Sequence, residues 1–182
     1  MQKFTEKTLT SKTEFRGNIL NVRVDQVKLP DGNRSSREIV EHSGGVTVLP
    51  VTKEKEIIMV KQFRKPTGEV LLELPAGKLE SEEKPKKCAE RELLEETGFK
   101  ADKMVKVLSF YTSPGYSNEL LHLYTGEVSK VKKQNLDQGE FLEVKIIKSS
   151  KARKLINSGK IRDGKSLVGL FYYLTHYLGE DN

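Results

Sequence analysis

Residues 77–99 read GKLESEEKPKKCAERELLEETGF, and this stretch decides the fold. Pro85 suits the first turn of a helix, because the N–H that it lacks is not needed there. Gly98 suits the position just past a helix end. The spacing therefore predicts a single helix over residues 84–97.

The predicted helix has an acidic face. At about 100° per residue, Glu92 and Glu96 lie on one stripe, with Glu95 beside them. Ala89 and Leu93 point to a different, apolar face. A solvated amphipathic helix is the simpler interpretation, because many surface helices carry glutamate without a function.

The sequence before the helix favours a metal site over a solvated face. Residues 73–76, ELPA, read as an apolar strand end that runs into a loop, so the acidic face would lie in a concave region with less water. Two carboxylates about 6 Å apart repel by roughly 3 kcal/mol at an effective dielectric near 20, and a divalent cation removes that cost. Oxygen ligands without a His or Cys cluster suit Mg²⁺ or Mn²⁺ better than Zn²⁺. Because Mg²⁺ shares its coordination with phosphate oxygens, the pattern predicts a phosphate-bearing substrate.

Two other residues of the helix have simple interpretations. Arg91 stands four residues before Glu95, and a pair between them would orient the carboxylate; an ordinary helix ion pair is the alternative. Cys88 is the single cysteine and cannot form an intrachain disulfide. We expect it to be a small, semi-buried residue without a role.

The composition indicates a soluble globular chain of one domain, or of one domain with a small appendage. Its 182 residues are 36% hydrophobic, which is adequate for a core. No apolar run approaches about 18 residues and the N-terminus lacks a signal-peptide segment, so we expect a cytoplasmic protein without a membrane partner. The net charge of +6 is spread among 32 basic and 26 acidic residues, and the lysine clusters lack stacking aromatics. Nucleic acid is therefore not an expected partner, although the positive charge helps to attract an anionic substrate.

Alternating and continuous apolar runs predict a set of strands around the helix. A strand at residues 20–24, a turn at Asp31-Gly32 and a strand at residues 37–40 form a lead-in. Further strands are predicted at residues 46–51, 57–60, 70–74, 105–111 and 120–128. Two helices close the chain: the first follows Ser149 or Ser150 as its cap, and the second has Leu167, Leu170, Phe171, Leu174 and Leu178 at helical spacing.

Residues 77–99 match, at every fixed position, the box Gly-x5-Glu-x7-Arg-Glu-U-x-Glu-Glu-x-Gly-U of the Nudix hydrolases, in which U is apolar. Seven fixed positions, each filled by chance about 7% of the time, coincide with a probability on the order of 10⁻⁸ per starting point. The resemblance covers roughly residues 44–178. It implies an α+β fold with a mixed sheet between helices, and hydrolysis of nucleoside diphosphates linked to another group.

More narrowly, the chain resembles the ADP-ribose and nucleotide-sugar pyrophosphatases. These enzymes have a small N-terminal antiparallel sheet before the Nudix core and act as homodimers. The resemblance implies that residues 1–43 form this sheet, which serves dimerisation and clamps the substrate. Residues 44–182 would form the Nudix hydrolase domain.

The same resemblance implies a set of metal ligands and a general base. The ligands are the backbone carbonyl of Ala76 and the carboxylates of Glu92 and Glu96, with Glu95 nearby. A loop at residues 137–144 supplies Glu140 as the base or as a further ligand. If Glu140 only binds metal, Glu95 becomes the alternative base.

Substrate contacts are implied at three places. Residues 113–119, SPGYSNE, carry Pro114 at the spacing that marks ADP-ribose pyrophosphatases, with Gly115 and Glu119 near the substrate; a simple turn is the alternative. Arg64 resembles the arginine that contacts the diphosphate, and a solvent-exposed strand arginine is the alternative. Arg37 resembles a similar position in the lead-in sheet.

The nucleobase site departs from the pattern of some relatives, which stack the base on Trp, because this chain has no Trp. An apolar clamp could be built from Phe4, Phe15, Ile19 or Tyr116. An ordinary core or interface role is the alternative for each of them.

The resemblance implies Mg²⁺-dependent hydrolysis, with Mn²⁺ as the alternative ion, of ADP-ribose to AMP and ribose 5-phosphate or of a related nucleoside diphosphate sugar. Another nucleotide is the first alternative substrate: a GDP-sugar, a dinucleoside polyphosphate or an RNA 5′-triphosphate. A non-catalytic sensor of ADP-ribose is the second alternative, and the intact box argues against it.

Overall fold

The computed structural model describes residues 2–136 and 138–179, and within them the chain forms eleven strands and three α-helices. The strands are β1 (Lys7–Arg16), β2 (Leu20–Lys28), β3 (Arg34–His42), β4 (Gly45–Val51), β5 (Ile57–Arg64), β6 (Glu69–Glu73), β7 (Ala76–Lys78), β8 (Phe99–Ala101), β9 (Val105–Tyr111), β10 (Leu120–Lys130) and β11 (Leu142–Ile147). The helices are α1 (Pro85–Thr97), α2 (Ser149–Asn157) and α3 (Gly164–His176). In this described part, no helix has both the length and the apolar character needed to cross a bilayer.

The first compact unit contains residues 1–44 and 111–120. Its sheet has the antiparallel order β1-β2-β3. The sequence predicts only β2 and β3. Strand β1 is missed because all ten of its residues are exposed, so its sequence KTLTSKTEFR shows no buried alternation.

The second compact unit contains residues 45–110 and 121–182. Its eight-stranded sheet has the main order β11-β5-β4-β10-β8, and β6, β7 and β9 pair with β5, β4 and β10 respectively. Strands β4 and β10 run parallel, whereas β5 pairs antiparallel with β4, β6 and β11. The sheet is therefore mixed, as expected.

Helices cover both faces of this sheet. Every residue of β4 is buried, in keeping with the continuous apolar run expected for a strand that packs on two sides. One hydrophobic cluster lies on the α1 side and contains Val46, Val48, Ile58, Cys88, Ala89, Leu93, Phe99, Met104, Tyr124 and Val128. The other lies on the α2 and α3 side and contains Leu49, Val51, Ile57, Met59, Leu74, Leu123, Ala152, Ile161, Leu170, Tyr173 and Leu174. This arrangement confirms the α+β fold with a mixed sheet between helices.

Two details of the closing helices differ from the sequence prediction. Helix α2 is preceded by Lys148 in an extended conformation without a side-chain cap, so neither Ser149 nor Ser150 caps it. In α3, Leu170 and Leu174 are buried but Phe171 is 54% exposed. Residue 171 lies at the edge of the apolar stripe, where helical spacing alone does not decide burial.

Candidate active site

Helix α1 confirms the predicted box helix. It begins at Pro85 and ends before Gly98, which adopts φ 72° and donates its backbone N–H to the carbonyl oxygen of Leu94 at 2.9 Å. A left-handed residue at this place closes the helix, and glycine adopts it without steric cost. The buried side of the helix includes Cys88, whose pKa is raised by burial, so this thiol is a core group.

The acidic stripe of α1 lies against β7. Glu96 is only 3% exposed, and its Oε2 accepts a hydrogen bond from the backbone N–H of Ala76 at 3.1 Å. Glu92 packs over Gly77: a Cβ added to Gly77 would lie 1.9 Å from Cδ of Glu92. Only glycine lets this carboxyl group approach the strand so closely. Helix and strand thus bring Glu92, Glu96 and the Ala76 backbone together.

Burial and mutual repulsion both oppose ionisation of these carboxyl groups. Burial, with added repulsion from Glu92 and Glu140, raises the pKa of Glu96 to about 8, although the Ala76 N–H opposes the shift. Burial also raises the pKa of Glu92, although Arg91 opposes it. Carboxyl groups that are both buried and mutually repulsive favour a nearby cation.

Arg91 links three carboxylates of the box, those of Glu83, Glu92 and Glu95. Its Nη1 donates to Glu92 at 2.8 Å and to Glu95 at 3.1 Å, which confirms the predicted pair with Glu95. Its Nε and Nη2 bind Glu83 at 3.0 and 2.9 Å. The hydrogen bond from Arg91 lowers the pKa of Glu83 to about 2. The arginine therefore orients the carboxylates that share one side of the helix.

Glu140 lies between the turn at residues 138–139 and β11 and is partly exposed. Its charge raises the pKa values of both Glu92 and Glu96. Residues 142–144 of the predicted loop belong to β11, and Asp137 lies outside the described residues.

Arg64 lies at the end of β5 and forms a two-pronged ion pair with Glu73 of β6. Nε lies 2.8 Å from Oε1 and Nη2 lies 2.9 Å from Oε2. The resemblance assigns the Arg64 guanidinium to a phosphate, but two of its nitrogens bind the carboxylate of Glu73. The third nitrogen, Nη1, is outside this ion pair.

Arg37 lies on β3 and pairs with Glu6. Its Nε lies 2.9 Å from Oε2 of Glu6, and Nη2 binds the other carboxylate oxygen. Its Nη1 binds the side chain of Ser35 and the backbone oxygen of Ser36. The guanidinium is partly exposed at this position.

The segment at residues 113–119 forms a turn that pairs with β3. Ser113 accepts backbone hydrogen bonds from Tyr116 and Ser117, at 3.1 and 2.9 Å. The backbone N–H of Val40 donates to Tyr116 at 2.8 Å, and Val40 accepts from Asn118 at 3.2 Å. Pro114 and Gly115 occupy this turn.

His42 joins Glu119 at the end of this turn, a neighbour that sequence reasoning missed. His42 Nδ1 lies 3.5 Å from Oε1 of Glu119 and accepts the backbone N–H of Gly44 at 3.0 Å. Oε2 of Glu119 accepts a hydrogen bond from the Thr112 hydroxyl at 2.6 Å. A cavity of about 160 Å³ opens here, lined by Leu20, Val40, His42, Thr112, Ser113, Tyr116, Ser117 and Glu119. His42 and Glu119 are 77 positions apart in the sequence, so no local sequence pattern links them.

The candidate residues are divided between the two compact units. The first unit holds Arg37, Pro114, Gly115 and Glu119, and the second holds Arg64, Ala76, Glu92, Glu95, Glu96 and Glu140.

Comparison with known protein families agrees with this geometry. The chain matches the NUDIX domain over residues 41–167. The chain belongs to the Nudix family. Residues 6–40 match the nucleoside diphosphate sugar hydrolase N-terminal domain, so the Nudix core follows an N-terminal segment of that type.

Curated Nudix relatives span nearly the whole chain. It is 45% identical to an ADP-ribose pyrophosphatase of Bacillus subtilis (strain 168), over 94% of each chain. It is 41% identical to a methanol dehydrogenase activator of Bacillus methanolicus, over 93% of this chain and 92% of that protein. A GDP-mannose pyrophosphatase of Escherichia coli (strain K12) is 35% identical, over 80% of this chain and 81% of that protein. These relatives identify the chain as a homologue of ADP-ribose pyrophosphatase and, more distantly, of GDP-mannose pyrophosphatase.

A solved structure described as an ADP compounds hydrolase has the same fold. Its TM-score is 0.80 at 18% identity, covering 93% of this chain and 94% of that one. At this level of identity the likeness concerns the fold alone.

Nudix proteins typically use divalent metal ions, and the residues around α1 fit one. Within residues 2–136 and 138–179, no three His, Cys, Asp or Glu side chains already stand as a metal-binding group. Mg²⁺ does not require such a group, because it typically binds through one or two carboxylates and keeps waters and substrate phosphates as its other ligands. Glu96 is buried and Glu92 is partly buried, both have raised pKa values, and both lie beside β7, which fits this requirement.

Proposed function

We propose that the chain is a Mg²⁺-dependent pyrophosphatase that hydrolyses ADP-ribose to AMP and ribose 5-phosphate, or cleaves a related nucleoside diphosphate sugar; Mn²⁺ is the alternative ion. The observation that carries this proposal is the placement of the partly buried Glu92 and the buried Glu96 against β7. The 45% identity to an ADP-ribose pyrophosphatase over almost the whole chain supports the choice of substrate.

The proposed cation ligands are the Ala76 carbonyl and the carboxylates of Glu92, Glu96 and Glu140. When bound, the cation neutralises charge on the diphosphate oxygens and makes a bound water more acidic. The raised pKa values of Glu92 and Glu96 support this ligand set, since a cation would stabilise their ionised forms.

Glu140 is the proposed general base. It accepts a proton from the water whose oxygen bonds to phosphorus, while the bridging P–O bond breaks and its oxygen leaves with the other phosphate. Glu95 is the alternative base. It is the weaker candidate because the resemblance to the pyrophosphatases places the base in the loop that holds Glu140; the Glu95 carboxylate accepts a hydrogen bond from Arg91.

Arg64 orients the diphosphate in this proposal. Glu73 fixes its guanidinium through two nitrogens, and the outward nitrogen Nη1 binds a phosphate oxygen. In the first unit, Arg37, Pro114, Gly115 and Glu119 contact the nucleotide sugar. The hydroxyl and carboxylate groups around Glu119 suit the hydroxyl groups of a sugar.

The chain is also proposed to act as a homodimer in the cytoplasm, with residues 1–43 serving as the dimerisation segment. Among the described residues of the first unit, Val27 is the single buried apolar side chain, whereas Phe15 and Ile19 are more than half exposed. A three-stranded sheet needs an apolar face to pack against something, and a second copy would provide it.

The test is release of phosphomonoester from ADP-ribose, ADP-glucose, GDP-mannose, a dinucleoside polyphosphate and triphosphorylated RNA, each with Mg²⁺ and with chelator. We expect turnover that requires the metal and is strongest on ADP-ribose. Faster turnover of another compound of the panel would reject ADP-ribose as the preferred substrate but would still support metal-dependent hydrolysis. Binding of ADP-ribose without turnover would favour the sensor.

A further inference from the structure

Glu73 is a buried charge that the reaction described above does not use directly. Its side chain is 1% exposed and is held by two cations, Arg64 from β5 and Lys165 from α3. Lys165 also lies 3.0 Å from Asp163. Two carboxylates and two cations thus form a neutral cluster, and removal of either cation would leave a buried charge without full compensation.

The first turn of α3 bonds to the backbone next to Glu73. Asp163 caps the helix by accepting the backbone N–H of Ser166 at 3.0 Å, and it also accepts the Ser166 hydroxyl. The Ser166 hydroxyl therefore donates its proton to Asp163. The same hydroxyl oxygen of Ser166 accepts the backbone N–H of Leu74 at 2.7 Å.

The two residues that follow Leu74 are fixed as well. The Pro75 carbonyl accepts the Val48 N–H at 2.9 Å and the Thr47 hydroxyl at 3.3 Å. The Ala76 N–H donates to Glu96. Each of residues 73–76 is thus fixed by a hydrogen bond or an ion pair. For Glu73 and Leu74, the partners include Lys165 and Ser166 of α3.

We propose that Lys165 and Ser166 are positioning residues for the divalent cation: through Glu73 and Leu74 they fix the β6–β7 connection, which leads to the Ala76 carbonyl that is presented to the metal. Through Glu73 they also set the direction of Arg64. This inference rests on the proposed cation site at Ala76, Glu92 and Glu96. Groups that orient metal ligands in this way typically change metal affinity by about 10–100-fold when they are removed.

The alternative is that the cluster only stabilises the fold, and matched variants separate the two roles. Lys165→Met removes the buried cation. Arg162→Met removes a cation three residues away whose ion pair with Glu69 is exposed. Tyr173→Phe removes a hydrogen bond from the same helix to the Lys55 carbonyl, and so lowers stability without touching residues 73–76.

The measurement is Mn²⁺ affinity of the nucleotide-free protein, taken from the electron paramagnetic resonance of free Mn²⁺, together with the Tm in chelator. We expect Lys165→Met to bind Mn²⁺ at least about tenfold more weakly. Arg162→Met and Tyr173→Phe should keep wild-type affinity, even where Tyr173→Phe lowers the Tm. Ser166→Ala keeps all four charges of the cluster and should also weaken Mn²⁺ binding. It replaces Lys165→Met as the test variant if Lys165→Met does not fold.

Two results would overturn the inference in different ways. Wild-type Mn²⁺ affinity in folded Lys165→Met or Ser166→Ala would reject the positioning role alone. Failure of the wild-type protein to bind Mn²⁺ would reject the proposed cation site, and the inference with it.

Discussion

At the scale of single residues, the two candidate bases differ in their place relative to the acidic stripe. Glu95 lies on α1 and accepts a hydrogen bond from Arg91, and Glu140 follows the turn at residues 138–139 and raises the pKa values of Glu92 and Glu96 through its charge. We expect Glu140→Gln to lower kcat by about 10²–10⁴-fold, the usual range for a general base. Glu95→Gln should lower it only a few fold. A small effect of Glu140→Gln beside a large effect of Glu95→Gln, in chains of equal stability, would transfer the role to Glu95.

Glu73 makes a second residue-scale prediction, on stability at low pH. Burial opposes its ionisation, but the hydrogen bonds and charges of Arg64 and Lys165 outweigh this and lower its pKa below 4.5. The unfolded chain therefore takes up this proton at higher pH than the folded chain does. The stabilisation is present above about pH 4.5 and is lost as the pH falls through the folded-state pKa.

We therefore expect the free energy of unfolding of Glu73→Gln to fall less steeply below about pH 4.5 than that of the wild type, as measured by urea denaturation. At neutral pH the variant should be the less stable protein, because Arg64 and Lys165 lose their shared anion. Parallel stability curves for the two proteins would contradict the assigned pKa shift.

At the scale of secondary-structure elements, the site depends on the close approach of α1 and β7. Gly77→Ala would place a methyl group 1.9 Å from Cδ of Glu92, so the helix or the strand must shift. We expect the variant to lose about 1–3 kcal/mol of stability, as overpacked sites do, and to need more Mg²⁺ for half-maximal turnover. Gly164→Ala is the control, since its Cβ meets no atom within 4 Å. Equal Mg²⁺ requirements for the two variants would contradict the packing argument.

The box helix could be predicted from sequence because its signals are local: Pro85, Gly98 and the period of Ala89 and Leu93 all lie within one element. The pair of Arg64 with Glu73 could not, because the β5–β6 register places Arg64 opposite Glu69 and Glu73 opposite Val60, so cross-strand pairing would indicate a different partner. The link between His42 and Glu119 joins residues that are distant in the chain, and periodicity carries no information on such contacts.

At the scale of the whole molecule, sequence identity to known proteins narrows the type of reaction more than it narrows the choice of substrate. Relatives at 45%, 41% and 35% identity carry three different names, although each spans at least 80% of this chain. The Nudix box is the part of the chain that we propose to act on the diphosphate. We therefore expect substrate choice to depend on residues outside the box, such as those around the Glu119 cavity in the first unit.

The first unit also makes the last prediction, which concerns assembly. Its described residues expose large apolar groups and bury one apolar side chain, Val27, so the sheet lacks a core of its own. We expect sedimentation to give a particle of twice 20.7 kDa, about 41 kDa. Ile19→Asp should shift it towards 20.7 kDa, because a charge cannot be buried in the interface without a partner. Val131→Asp alters an apolar residue of the second unit that is also more than half exposed, and it should leave the dimer intact. A wild-type particle of 20.7 kDa would contradict dimerisation. If Ile19→Asp remains a dimer, the interface does not include the β1–β2 connection.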